Sequence, residues 1–119
     1  MTIEDVTVID EITVSPDGRT YELLMTEERR FGPGEEQYQQ LAAKIDNYVT
    51  FLQQGQLQEQ YPESAGAAVR VCLVCRDEPE QARLVELMNA AARLFARHGV
   101  EFYLDVIPDE LLGLPPRND

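Results

Sequence analysis

Cys72-Leu73-Val74-Cys75 has the C-x-x-C spacing of a redox pair or of half a zinc site. A redox pair needs its second cysteine on a turn or a helix start. The surrounding run, AAVRVCLVCR over residues 67–76, reads as a strand, where residues three apart point to opposite faces. The chain has 2 cysteines and 1 histidine, so a zinc site lacks its remaining ligands. Both cysteines are read as structural, and neither a metal nor any other cofactor is expected. His98, at the end of a helical stretch, suits the C-terminal carbonyls, where a cation is favoured. Ser15 and Ser64 fall in turns, and no G-x-S-x-G is present, so nucleophilic hydrolysis has no support and no catalytic residue is named. Asp10, Glu11 and Glu22 have the chemistry for acid–base work or a divalent ion, but no D-x-D-x-D-G loop accompanies them. They read as solvated charges that also guard an edge strand. Gly32-Pro33-Gly34 before a helix resembles a phosphate cradle, but it lacks Gly-Lys-Ser/Thr, and Glu35 and Glu36 would repel the phosphate.

These residues sit in a chain of 119 residues, which sets the expectation of one domain over 1–119, with 1–6 and 108–119 loosely ordered. The net charge of −12 argues against a nucleic-acid partner. The excess is uneven. Residues 1–36 hold ten acids and three bases, net −7, and residues 100–119 hold five and one, net −4. Residues 67–99, with four acids and five arginines, are nearly balanced. An acidic surface of this kind suits a basic protein partner. No apolar run approaches the ~20 residues of a membrane span. No signal-like segment follows Met1, and the expected location is a reducing cytoplasm.

The elements follow from periodicity and turn residues. Thr7–Ser15 and Arg19–Thr26 read as two antiparallel strands joined by Pro16-Asp17-Gly18, in which proline presets φ and glycine takes the positive φ. Glu35–Gln54 reads as a helix with Tyr38, Leu41, Ile45, Tyr48 and Leu52 on its apolar stripe and Gly55 past its end. Gly55–Gly66 reads as irregular, with one helical turn before Pro62. Ala67–Arg76 is an interior strand. Asp77, Pro79 and Glu80 read as the start of a second helix that ends at Gly99. Its apolar residues cover more than one stripe. Val100–Ile107 alternates, with Val100, Phe102, Leu104 and Val106 inward. After Pro108 one further turn and a tail are expected. The expected fold is α+β, a two-layer sandwich with a four-stranded mixed sheet in the order 1-2-3-4 and two helices on one face (ββαβαβ).

Lys44-Ile45-Asp46-Asn47-Tyr48, followed by Phe51, Gly55 and Tyr61-Pro62, resembles an uncharacterised bacterial domain-of-unknown-function family. That family opens with a strand hairpin, then a helix bearing a Lys-Ile-Asn-x-Tyr-like run, then Gly and Tyr-Pro. Asp46 stands where the family has asparagine. The resemblance covers about the first two thirds of the chain. It implies a bacterial origin and a compact α+β domain, and it implies no activity, substrate or catalytic residue.

Two functional expectations result. The first is a non-enzymatic acidic protein-binding domain of inhibitor, immunity or adaptor type. Its partner is another protein or a second copy, with no nucleic acid and no membrane. The binding surface is the helix-free sheet face carrying Arg70, Arg76, Glu101, Tyr103 and Asp105, with Cys72 and the apolar Ile9, Leu24, Val74 and Ile107 between them. The alternative is a small-molecule-binding or enzymatic domain with a pocket at Lys44, Asp46, Tyr48 and Tyr61. A deep pocket at those residues would favour the second expectation, and a flat acidic face the first. Tyr48 and Ile45 are expected in the core, and Tyr61-Pro62 is expected to pack under the 55–66 loop against the helix.

Overall fold

A computed structural model describes Ile3 and residues 7–107. The expected loose ends and the turn after Pro108 lie outside the described residues, Ile3 apart. Ile3 is fully buried, and its N–H donates to the Thr26 carbonyl at 2.8 Å.

The chain forms an α+β domain: β1 (Glu11–Val14), β2 (Thr20–Glu27), α1 (Glu35–Gln53), α2 (Gln56–Gln60), a 3-10 turn at Pro62–Ser64, β3 (Ala68–Cys75), α3 (Ala82–Ala96) and β4 (Glu101–Val106). The four strands make one mixed sheet in the order β1-β2-β3-β4. The β1–β2 pair is antiparallel, and β2–β3 and β3–β4 are parallel. The hairpin turn closes as its residues dictate: Gly18 takes φ +72° and donates its N–H to the Ser15 carbonyl at 2.9 Å. Tyr21, Leu23 and Met25 of β2 and Val71, Leu73 and Cys75 of β3 meet Leu41, Ile45 and Tyr48 of α1 and Leu84, Met88, Ala91 and Phe95 of α3 in one buried cluster. Phe95 and Phe102 stack with centroids 5.5 Å apart, which ties α3 to β4.

Four expectations need correction. The first strand is only Glu11–Val14, because residues 8–10 leave the ladder: the Val8 carbonyl accepts from Lys44, and the Asp10 N–H donates to the Tyr48 hydroxyl. The helical turn expected before Pro62 is present as α2, whose Leu57 is buried, and it raises the number of helices from the expected two to three. Folding this segment back is what covers Phe51, three residues from Tyr48 on α1, so both aromatics are buried. Tyr61 also meets the sheet, with its ring 5.8 Å from that of Tyr21. Third, α3 starts at Ala82 with Gln81 as its uncapped first boundary. Asp77 does not cap it; its carboxylate accepts from the Phe31 N–H at 3.3 Å across the chain. Finally, Val106 is 39% exposed, at the end of an edge strand. Only Val100, Phe102 and Leu104 reach the core. The apolar residues of α3 resolve into one buried stripe, Leu84, Met88, Ala91 and Phe95, while Val85 is exposed.

Candidate functional site

Strand register arranges the sheet face away from the core in three rows. Thr13, Glu22, Arg70 and Glu101 form the first. Glu11, Leu24, Cys72 and Tyr103 form the second. Thr26, Val74 and Asp105 form the third. Neighbours within a row lie close enough for their side chains to interact. The central feature is Arg70, whose guanidinium lies 4.4 Å from the centre of the Tyr103 ring. Its Nε donates to Glu101 at 2.8 Å, and a second nitrogen sits 3.7 Å from Glu22. The Tyr103 hydroxyl donates to the same Glu22 carboxylate at 2.5 Å. Burial first, and then this bond to Glu22, push the Tyr103 phenol well above the usual tyrosine range. The side chains of Arg70 and Glu101 are 39% and 63% exposed, so their ion pair adds little to stability. The stack, by contrast, presents a flat aromatic–guanidinium surface held by two carboxylates.

The five residues expected on this face do not all meet. Arg70, Glu101 and Tyr103 form one cluster, joined by Glu22, which is engaged here and not a solvated charge. Asp105 is exposed in the neighbouring row. Arg76 is six residues from Arg70, about 20 Å along an extended chain, and it donates to the Glu28 carbonyl at 3.5 Å. Of the expected apolar neighbours, Leu24 and Val74 lie in the rows, and Ile107 extends the ladder by donating its N–H to the Cys75 carbonyl at 2.9 Å. Ile9 is a correction: it packs on the core cluster.

Lys44, Asp46, Tyr48 and Tyr61 are arranged differently. The Lys44 ammonium is fully buried and donates to Asp10 Oδ1 and to the Val8 carbonyl, both at 2.6 Å. The Tyr48 hydroxyl accepts the Asp10 N–H at 2.9 Å and donates to the Leu24 carbonyl. Asp10 Oδ2 accepts from the Thr26 N–H at 2.9 Å. Burial raises the Tyr48 phenol far above its ordinary range. Lys44 and Tyr48 thus fasten the chain before β1 to α1 and β2. Asp46 is exposed, and Tyr61 lies beyond, in a groove of about 510 Å³ whose lining includes neither Lys44 nor Tyr48. Asp10 was not singled out as the partner of Lys44. A signal for it existed: the chain's single lysine stands on the apolar stripe with Leu41, Ile45 and Tyr48, and a cation placed there needs a buried anion.

Cys72 lies under the sheet face in the same row as Tyr103, and Cys75 lies in the core. Burial pushes the thiols up to about 11 and about 12, respectively. Both are free thiols on opposite faces of β3. The folded protein treated with an oxidant is therefore expected to show no intramolecular disulfide. A mass loss of two hydrogens mapped to Cys72–Cys75 would refute this placement. His98 is exposed just past α3, and among the described residues no three His, Cys, Asp or Glu side chains converge on a common point. Among the same residues no helix is long and apolar enough to cross a membrane.

No curated protein and no solved structure matches the chain. The model of a family of unknown function, DUF6572, matches residues 1–108, so the chain belongs to that family.

Proposed function

We propose that this chain is a non-enzymatic acidic binding domain of inhibitor, immunity or adaptor type, acting in a bacterial cytoplasm. In this reading the Lys44–Tyr48 run is the signature of its family. The fold is a two-layer sandwich with its helices on one face, and a basic protein docks on the other. The observation that supports this reading is the Arg70–Tyr103 stack, 4.4 Å apart, braced by Glu22 and Glu101. Tyrosine and arginine are the residue types on which interface energy concentrates. Acidic Glu11, Glu22, Glu101 and Asp105 outnumber Arg70 on the three rows, which suits a partner of positive charge. The pocket alternative is weakened because Lys44 and Tyr48 already hold Asp10 and backbone groups.

The test is the paired substitution Tyr103→Ala with Arg70→Glu. Losing the aromatic anchor and the guanidinium stacked on it is expected to cost about 2–4 kcal/mol of binding, roughly 30-fold or more in affinity, which outweighs the small attraction an added exposed carboxylate offers a basic partner. The measurement is titration of a captured basic partner against the wild type and the double variant, with circular dichroism checking the fold. A folded double variant that binds at wild-type affinity would sink the sheet face as the site.

A further inference from the structure

The free edge of β1 is the strongest feature outside that cluster. Ser15 donates its N–H to the Thr20 carbonyl, and the register runs from this pair through Thr13↔Glu22 to Glu11↔Leu24. In an antiparallel ladder, hydrogen-bonded and non-hydrogen-bonded pairs alternate. The N–H and C=O of Glu11 and Thr13 therefore face β2, and those of Ile12 and Val14 face outward. Strand β1 is the first in the sheet order, and among the described residues no strand lies beyond it. Val14 is 44% exposed at this edge. The strand is short, 4 residues, and carries one charge, Glu11, but it has no lysine, no proline and no bulge to turn a cationic strand away.

Beside the edge lies the groove of about 510 Å³. Residues 7–12 form one wall. Asn47 and Thr50 of α1, Gln56 and Gln60 of α2, and Tyr61 form the other. The lining holds Asp10 and Glu11 and no Lys or Arg. Asp10 is engaged by Lys44, which leaves exposed Glu11 as the available charge at this edge, on the helix-free side of β1, while amide and hydroxyl groups line the groove on the other side. The chain's net charge of −12 disfavours a second copy here and favours a cation.

The geometry points to β1 as a docking strand for an extended, lysine- or arginine-bearing segment of a partner protein. That segment adds to the sheet as a fifth strand. It bonds to the backbone of Ile12 and Val14, one of its cationic side chains lies on the helix-free face beside Glu11, and its alternate side chains face the groove of Asn47, Thr50 and Gln60. Main-chain bonds supply the attachment, and Glu11 supplies the preference for a cation.

The probe is the peptide acetyl-Lys-Val-Lys-Val-Lys-Val-amide, with acetyl-Glu-Val-Glu-Val-Glu-Val-amide as its control, and the readout is amide hydrogen exchange by NMR. In the free protein the Thr13 amide is expected to exchange slowly and the Ile12 and Val14 amides quickly. The lysine peptide is expected to slow Ile12 and Val14 by about tenfold or more. The glutamate peptide is expected to leave them unchanged. Val14→Pro removes one outward donor without touching the β1–β2 ladder, and it should weaken the lysine peptide by about tenfold or more at an unchanged fold. Val14→Thr should bind as the wild type does. Tyr103→Ala with Arg70→Glu should also bind the peptide normally, so that failure here and failure of the sheet-face reading are separable. The proposal is overturned if the lysine peptide leaves both amides unprotected, or if the glutamate peptide protects them equally. Concentration-dependent protection without any peptide would show a second copy on the edge and overturn it too. Should Val14→Pro fail to fold, the wild-type exchange pattern decides by itself.

Discussion

Lys44→Met is expected to destabilise the protein by about 3–5 kcal/mol, because it leaves the Asp10 carboxylate buried without its cation. The Asp10 side chain is 3% exposed and Lys44 is fully buried, so water does not replace the lost partner. Methionine fills much of the same volume, so the loss reports charge and not packing. The size of the effect is large against the roughly 5–15 kcal/mol that holds most domains together. The chain before β1 should loosen first, since Lys44 also holds the Val8 carbonyl. Adding Asp10→Asn to Lys44→Met removes the stranded charge while keeping an acceptor for the Thr26 N–H. The double variant is therefore expected to be more stable than Lys44→Met alone. Urea denaturation of the four proteins in the cycle measures both effects. A single variant within about 1 kcal/mol of the wild type, well under the cost of breaking a buried pair, would show that the pair is not sealed from water.

Tyr48→Ala is expected to cost about 3–5 kcal/mol, the range for truncating a buried aromatic. Tyr48 is fully buried between α1 and the sheet, and its hydroxyl bridges Asp10 and Leu24. Tyr48→Phe separates the two contributions. It keeps the ring and strands the Asp10 N–H, a cost of about 1–3 kcal/mol. Thermal unfolding should therefore rank the wild type above Tyr48→Phe, and Tyr48→Ala lowest. If Tyr48→Ala melts within a degree or two of the wild type, α1 does not face the sheet through this side chain.

The two variants bear on function as well as stability. Together they test whether Lys44 and Tyr48 serve as a fastening for the chain before β1. If both substitutions left the fold unchanged and altered the binding of a small molecule, the pocket alternative would regain its support.

The amino-acid sequence by itself determined the elements whose causes are local. The hairpin turn at Pro16-Asp17-Gly18, the length of α1, and the stops at Gly55 and Gly99 all rest on φ preferences and on periodicity within a few residues. The separation of Cys72 from Cys75 follows from the two-residue period of a strand. The burial of Ile45 and Tyr48 follows from the helical stripe. The arrangement of the site was decided only in three dimensions. Lys44 and Asp10 are 34 residues apart, and Tyr103 and Glu22 are 81 apart. Acidic residues number 22, so nothing local marked which two would answer a buried lysine and a half-buried tyrosine. The late start of β1 and the late start of α3 have the same origin. At Asp10 and at Asp77 a distant hydrogen bond outcompeted the local one, because burial raises the cost of leaving a polar group unpaired above the small preference that a strand or a cap provides.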